Sequence, residues 1–500
     1  MVKLFNHDIS MKKISFLLLS MLMLVSCNDF LDMEPTNSAN SAEAIATPTD
    51  ARVVINGIMR TMASSSYYGR NFFMYGDAKG GDLTIASQGR GLDGLYSFNH
   101  SATSGSYSGF WSTGYYCILQ VNNLLENIDR ITENGTSEDA ASYNQCKGEA
   151  LTLRALIYFD LVRLYGKPYN YDKGSLGVPL VTQTLPASAQ PTRATVEEVY
   201  KQIISDLNEG KSLLEKGKVQ QDGYMGYYAN LAEQARVKLY MEDYDGALAA
   251  AQEIIGSGKF TLYEPSQWAD SWKKQFGSES IFELGIYSAE ADLGTSSLGF
   301  YLMCYGLKSG AAGWFMASDY YLERLAQDPT DVRWSVMYQD ESEYTHLGSC
   351  NKYMGGPDMN GDGKESPTSV NIKVIRLSEI YLIAAEAALH ASTPNAELAA
   401  QYLNAIRCRA TSLEPATAST INDDMILDER SKELFCEGHR FFDMMRMNRS
   451  ITFNDDFGGI AVNGRPKTID RTFGKIVLPI DQDEINANPA LAEQQNEAYK

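Results

Sequence analysis

The sequence predicts a mainly α-helical repeat scaffold, decorated by long irregular loops with a few short strands. Apolar residues recur at helical spacing over several stretches, and two of these stretches form helix pairs joined by short turns. Stretches rich in Gly, Ser and Tyr, without that period, lie between them. The chain has 500 residues, of which 44% are hydrophobic, so it is long enough to bury a sizeable core.

Three single helices are predicted in the N-terminal half of the chain. Apolar residues at helical spacing predict helices over residues 112–131 and 149–165, and Gly166 followed by Pro168 ends the second one. Thr195 and Glu198 have the spacing of a capping box, which predicts that a third helix begins there and continues to about residue 214.

Two helix pairs have the pattern of a tetratricopeptide-like (TPR-like) repeat. Residues 228–242 and 247–255 form the first pair, with a tight turn and small residues at the contact. The second pair extends over residues 374–406, and a further helix is predicted over residues 424–446. Since such pairs bury their apolar faces only against neighbours, several should stack, mainly within 112–258 and 374–448.

Two regions, residues 67–110 and 259–373, lack a helical period and are predicted to be long loops with strands such as 280–284. Loops this long in a compact fold are usually functional. A GxGxxG pattern occurs at residues 89–94, but the residues after it favour a loop or extended segment rather than the helix of a dinucleotide site. A ligand site is therefore expected in these two regions.

The N-terminus has the pattern of an export signal. A pair of lysines precedes an apolar run of about a dozen residues, which is too short to span a bilayer. Small residues then precede Cys27, which predicts a signal peptide over residues 1–26, with Met11 as an alternative start, and a lipid on the Cys27 thiol. An ordinary signal peptide followed by a chance cysteine is the alternative.

This signal implies a simple domain organisation. Residues 27–42 are expected to be a lipidated flexible tether, and residues 43–500 a single folded unit. No later segment is apolar enough to span a bilayer, so the lipid is the expected membrane anchor.

Composition excludes several functional classes. The chain has 43 Lys and Arg residues against 63 Asp and Glu, a net charge of −20, which disfavours nucleic acid and anionic membrane surfaces as partners. It contains five His and no HExxH, GxSxG or Walker A sequence.

The six cysteines after Cys27 form no CxxC pair, so a zinc ribbon is excluded and buried free thiols are expected. The acids and bases of residues 429–443 are predicted to pair along one helix rather than to catalyse.

The binding hypothesis depends on aromatic residues in the loops. If the ligand is a glycan, as the family resemblance given below implies, its sugar rings present apolar C–H faces on which Trp and Tyr rings stack, while Arg, Asn and Asp bond the hydroxyls. Many Tyr residues must be core, but at least two candidates should contact ligand. We expect Trp314 and Tyr96 as stacking rings and Arg90 as a hydroxyl ligand. The candidates are Tyr67, Tyr68, Tyr75, Asp77, Arg90, Tyr96, Tyr301, Tyr305 and Trp314.

A calcium site is predicted at Asp358, Asn360 and Asp362. These oxygen ligands occupy positions one, three and five of a calcium loop, and Gly363 occupies position six. Position twelve holds Ser369 instead of the usual Glu, so a turn-rich polar loop without metal is the alternative.

Several motifs, in order along nearly the whole chain, resemble the SusD/RagB family of nutrient-binding outer-membrane lipoproteins. The segment 429–443 is the most specific of them. The matching stretches are Cys27 with 29–32 (DFLD), Trp111 with 121–124 (VNNL), 154–166 (RALIYFDLVRLYG), 178–181 (VPLV), 193–200 (RATVEEVY), 376–386 (RLSEIYLIAAE), 429–443 (ERSKELFCEGHRFFD), 475–480 (KIVLPI) and 495–499 (QNEAY). The last departs from the family's usual Asn-Pro-Gly-Tyr.

The resemblance implies a SusD-like fold and a cell-surface protein that binds a glycan, an oligo- or polysaccharide, without cleaving it. It also implies a partner, a SusC-like TonB-dependent outer-membrane barrel that receives the nutrient. No cofactor is required apart from the calcium considered above. A surface glycoside hydrolase, or a TPR scaffold that binds a peptide or protein, are the alternatives.

Overall fold

The computed structural model describes residues 45–86, 89, 92–103, 108–133, 139–216, 223–286, 293–303, 311–338, 348–355, 370–456 and 462–500. The described part of the chain is mainly helical, as the sequence predicts. The α-helices are α1 (Pro48–Met62), α2 (Asn71–Ala78), α3 (Asp93–Tyr96), α4 (Ser108–Glu133), α5 (Ala140–Tyr165), α6 (Tyr169–Asp172), α7 (Val196–Leu213), α8 (Tyr227–Tyr240), α9 (Tyr244–Gly256), α10 (Pro265–Ser271), α11 (Leu298–Leu302), α12 (Asp319–Leu325), α13 (Leu377–His390), α14 (Ala396–Arg407), α15 (Asp423–Glu433), α16 (Arg440–Arg446) and α17 (Gln482–Ala487).

The strands are short and pair antiparallel in twos: β1 with β5, β2 with β3, β4 with β8, β6 with β7, and β9 with β10. Their bounds are β1 (Leu83–Ile85), β2 (Leu176–Pro179), β3 (Arg193–Thr195), β4 (Ser280–Leu284), β5 (Phe315–Ala317), β6 (Met337–Tyr338), β7 (Ser349–Cys350), β8 (Ile372–Arg376), β9 (Ile451–Thr452) and β10 (Thr468–Ile469). Short 3₁₀ turns occur at Gly294–Ser296, Val332–Val336, Gly474–Ile476, Pro489–Gln494 and Glu497–Tyr499.

The helices pack mainly against their neighbours in sequence. α4 packs on α5, α5 on α7, α8 on α9, α9 on α13 and α13 on α14. Their apolar faces merge into one large core, and a smaller cluster lies between α13, α14 and α15. Thr195 caps α7 in a capping box with Glu198, as predicted. Among the described residues, none of the helices is both long and apolar enough to cross a bilayer.

Two predicted boundaries differ from the structure. The second helix pair does not begin at residue 374, because residues Ile372–Arg376 form β8, which pairs with β4 before α13 starts. The four-residue helix α3 begins inside the GxGxxG stretch, at Asp93, and extends to Tyr96, where a loop or extended segment is predicted. The strand before it, β1, pairs antiparallel with β5, so these elements lack the parallel βαβ context of a dinucleotide site.

The helix predicted over residues 424–446 is broken into α15 and α16. Cys436 and Gly438 both have left-handed backbones, with φ of 63° and 82°, which end one helix and redirect the chain into the next. A Cβ atom on Gly76 of α2 would lie 2.0 Å from the carbonyl oxygen of Gly438. The break therefore lets α2 approach this turn backbone to backbone.

A buried ion network connects the second loop-rich region to α15. The guanidinium of Arg376, at the end of β8, donates to Glu433 (2.8 Å) and to Glu437 (2.6 Å). Lys352 donates to Glu437 (2.6 Å), and Arg409 donates to Glu279 (2.9 Å). The six side chains of the network are almost completely buried; they are Glu279, Lys352, Arg376, Arg409, Glu433 and Glu437.

This network corrects the prediction that residues 429–443 pair along their own helix. Glu433 and Glu437 bond to Arg376, far away in sequence, while Arg430 bonds to Asp443 across the break. Burial alone would raise the pKa of Glu437, but the charges of Arg376 and Lys352 outweigh it and lower that pKa. The segment is structural rather than solvent-exposed.

Candidate functional site

The indole of Trp314 lies where the two loop-rich regions meet. β1 belongs to the first region and β5 to the second, and Ile85 pairs with Phe315. The amide of Ala86 donates to the carbonyl of Trp314 (2.8 Å), which fixes Trp314 at the end of the strand pair. Trp314 is half-buried, so it is not enclosed in the core.

Two aromatic rings of α11 hold this indole. Phe300 and Tyr301 contact Trp314 edge to face, with ring centroids 4.9 Å and 4.8 Å away. The hydroxyl of Ser297 accepts from the amide of Phe300 and so caps α11. Edge-to-face contacts of this kind are favourable and directional, so the indole is pre-oriented for a ligand.

The guanidinium of Arg70 completes one side of the aromatic group. Its central carbon lies 4.8 Å from the ring centroid of Tyr301, and it donates to the Tyr301 hydroxyl (3.2 Å). Burial lowers the pKa of Arg70, but a guanidinium remains charged at neutral pH because its ordinary pKa is above 12. Arg70 therefore offers fixed donors beside an aromatic surface.

Asp93, the first residue of α3, supplies an acceptor nearby. One carboxylate oxygen accepts from the amide of Gly89 (2.5 Å), and the other is buried without a hydrogen-bond partner among the described residues. Burial raises the pKa of Tyr301; the charge of Arg70 opposes this rise, and the charge of Asp93 adds to it. We name Arg70, Asp93, Phe300, Tyr301 and Trp314 the Trp314 cluster. It combines stacking rings with a charged donor and a charged acceptor.

The structure brings together two of the predicted ligand residues, Trp314 and Tyr301. Arg90 and Tyr305 lie outside the described residues, although Gly89 and Met303 beside them are described. Cys27 and the calcium candidates Asp358, Asn360 and Asp362 also lie outside the described residues, so lipidation and calcium binding stay predictions.

The other candidates are core residues, which removes them from the proposed site. The hydroxyls of Tyr67 and Tyr68 both donate to Asp160 of α5 (2.5 Å and 2.6 Å). Both rings are 2% exposed, so neither has a face available for a sugar. They anchor the first loop-rich region on the helical scaffold.

Tyr75, Asp77 and Tyr96 are buried as well. The Tyr75 hydroxyl donates to the carbonyl of Ile476 (3.2 Å). A carboxylate oxygen of Asp77 accepts from the amide of Gly438 (2.6 Å), and burial raises the Asp77 pKa well above its usual range. The Tyr96 hydroxyl donates to the carbonyl of Asn454 (2.9 Å), so the expected stacking ring is a core ring.

A separate polar cavity of about 300 Å³ lies on the helical scaffold. Tyr244, His390, Asp423 and Arg446 are among the residues that line it. His390 and Asp423 are hydrogen-bonded at 2.6 Å, and this bond raises the pKa of His390 and lowers that of Asp423. The cavity is a competing location for a small polar ligand.

Comparison with known proteins decides the family. Residues 327–499 match a model described as the SusD family, and residues 29–239 match one described as starch-binding associating with the outer membrane. A solved SusD superfamily protein from Bacteroides thetaiotaomicron is 33% identical, with a TM-score of 0.81, over 90% of this chain and 100% of that one. The chain belongs to the SusD superfamily.

Other SusD relatives support the same fold. A solved putative sugar-binding protein from Bacteroides vulgatus is 31% identical, with a TM-score of 0.81, over 91% of this chain and 100% of that one. A SusD-like protein from Formosa agariphila is 26% identical over 97% of this chain and 98% of its own length. The predicted family and the mainly helical SusD-like fold are thus confirmed.

Sequence reasoning missed three members of the Trp314 cluster in this SusD-superfamily chain. Arg70 contacts Tyr301 across 231 positions of sequence, which no local pattern indicates. Phe300 adjoins Tyr301 in the chain, and an aromatic pair in a loop region is a signal that indicates it. Asp93 lies within the GxGxxG stretch, where an acidic residue in a glycine-rich loop is a weaker signal.

Proposed function

We propose that the protein is a non-catalytic glycan-binding lipoprotein of the cell surface that holds its ligand at the Trp314 cluster. The observation that carries the proposal is the half-buried indole of Trp314, held edge to face by Phe300 and Tyr301, with Arg70 lying over the Tyr301 ring. A sugar ring stacks on such an indole with its C–H face, and its hydroxyls accept from the guanidinium and donate to the carboxylate.

The chemistry of the cluster supports binding without cleavage. Glycoside hydrolysis generally uses a pair of carboxyl groups on either side of the scissile bond. Asp93 supplies one carboxylate to the Trp314 cluster, and it is already engaged with the amide of Gly89. The family resemblance and a solved relative described as a putative sugar-binding protein support the same conclusion.

A glycan panel tests this function and separates it from its alternatives. We expect affinity electrophoresis to show retardation by at least one oligo- or polysaccharide, and the same glycan to release no new reducing ends after prolonged incubation. Release of reducing ends would identify a hydrolase. Retention by peptides with no glycan bound would favour the TPR scaffold.

Delivery of the glycan is the second part of the proposal. The protein is held to the outer membrane by the lipid on Cys27 and passes its ligand to a SusC-like TonB-dependent barrel beneath it. The matched model described as associating with the outer membrane supports this location.

The delivery proposal makes a prediction for the anchor. Cys27→Ala should release the protein from the outer-membrane fraction while its glycan affinity stays unchanged, because the Trp314 cluster is far along the chain from Cys27. Wild-type protein solubilised in mild detergent should co-purify with a barrel of the TonB-dependent class. Membrane retention of the Cys27→Ala variant would contradict lipid anchoring, and wild-type protein that is always recovered alone would contradict delivery.

A further inference from the structure

Two buried thiols lie side by side between the second loop-rich region and the break after α15. Cys350 ends β7, and Cys436 lies in the turn between α15 and α16. Both residues are 1% exposed, and each thiol lies close enough to the other to shift its pKa. The other described cysteines, Cys117, Cys146 and Cys408, are also free thiols.

The backbones that carry these two thiols are held together independently of the sulfur atoms. Lys352, two residues after Cys350, donates to the carbonyls of Glu433 and Phe435 (both 2.9 Å). The hydroxyl of Tyr353 donates to the carbonyl of Cys436 itself (2.6 Å). Bonds to Cys436 and to the residues just before it therefore hold the two segments together.

The backbone of Cys436 is unusual for a residue with a side chain. Its φ of 63° lies in the left-handed region, where a Cβ atom is disfavoured and glycine is preferred. Backbone strain of this kind is often found where the side chain has a function. Here the strained backbone carries a sulfur that faces a second sulfur.

We infer that Cys350 and Cys436 form a disulfide when the folding chain meets a disulfide oxidant, and that this bond ties the second loop-rich region to the helical scaffold. The two thiols lose two protons and two electrons, the S–S bond forms between them, and the oxidant disulfide is reduced to two thiols. The export in the proposed function would supply such an oxidising compartment.

Burial determines when the exchange takes place. Both thiols are almost completely enclosed in the folded chain, so an oxidant can reach them only before the second loop-rich region closes. The disulfide is therefore expected to form during folding, and a folded protein that has kept its thiols should oxidise slowly.

The test is peptide mapping of protein alkylated under denaturing, non-reducing conditions. We expect a peptide containing Cys350 linked to one containing Cys436, in protein from the membrane fraction and in protein refolded with oxidised glutathione. Reduction should separate the two peptides and lower the melting temperature by about 4 °C, since the bond closes a loop of roughly 85 residues.

Two variants control the measurement. Cys436→Ala should remove both the linked peptide and the effect of reductant on the melting temperature, whereas Cys117→Ala, at another buried thiol, should change neither. Free thiols at both positions in both preparations would overturn the inference. If the linked peptide were found only after refolding with oxidised glutathione, the result would support the disulfide but count against export to an oxidising compartment. The experiment therefore distinguishes failure of the disulfide inference from failure of the proposed function.

Discussion

Replacing Arg376 with Met should lower the free energy of unfolding by about 3–5 kcal/mol, because it removes the cation that the buried carboxylates Glu433 and Glu437 share. Removing one partner of a buried ion pair lowers the free energy of unfolding strongly, because the other charge is left buried without compensation. Replacing the whole pair with apolar residues has a much smaller effect. The measurement is urea unfolding at pH 7, followed by circular dichroism at a helical wavelength.

Arg449→Met is the matched control for this change. Arg449 pairs with Asp424 at 2.6 Å, but these side chains are 39% and 74% exposed, so the loss should be at most about 1 kcal/mol. Equal losses in the two variants would show that the buried network does not stabilise the fold as we describe.

The same network predicts how stability depends on pH. The folded-state pKa of Glu437 and Glu433 is lowered relative to the unfolded chain, because Arg376 and its neighbours outweigh burial. The wild-type stabilisation is therefore fully present above the unfolded pKa of about 4.5 and is lost as pH falls through the folded pKa. Below pH 4.5, the free energy of unfolding of the Arg376→Met variant should fall less steeply with decreasing pH than that of the wild type.

Replacing Trp314 with Ala should weaken glycan binding roughly thirtyfold, which corresponds to about 2 kcal/mol for a central aromatic contact. Trp314 is half-buried and contacts the Tyr301 ring over which Arg70 lies. Isothermal titration with the glycan identified by the panel measures the change, and circular dichroism confirms that the variant is folded. Trp314→Phe should retain part of the affinity, because it keeps an aromatic face.

Tyr116→Ala is the control for this second prediction. Tyr116 is 53% exposed on α4, so it is an aromatic surface residue outside the cluster. Its replacement should leave the dissociation constant within about twofold of wild type. If Tyr116→Ala weakened binding and Trp314→Ala did not, the ligand would bind on α4 instead.

Much of the fold was predictable because patterns among neighbouring residues in the sequence specify it. The capping box at Thr195 and the helical period of α4 and α5 need only neighbouring residues to be recognised. The break at Cys436 was not predictable, since a non-glycine residue with positive φ has no sequence signal of its own. The pattern of acids and bases there suggested one continuous helix.

The candidate site was predictable only in part. Trp314 and Tyr301 were found because aromatic residues in a long loop region suggest ligand binding. Tyr68 and Tyr96 have the same local signal but bury their rings, because Asp160 and the carbonyl of Asn454 accept from their hydroxyls inside the core. Composition cannot separate these cases, since the accepting groups are distant in sequence.

The most direct test of the account is a crystal structure of the protein with an oligosaccharide bound at a concentration near its dissociation constant. We predict a sugar ring stacked on the indole of Trp314, with hydroxyls bonded to Arg70 and Asp93. A glycan found instead in the cavity lined by Tyr244 and His390, with the Trp314 cluster empty, would contradict the account.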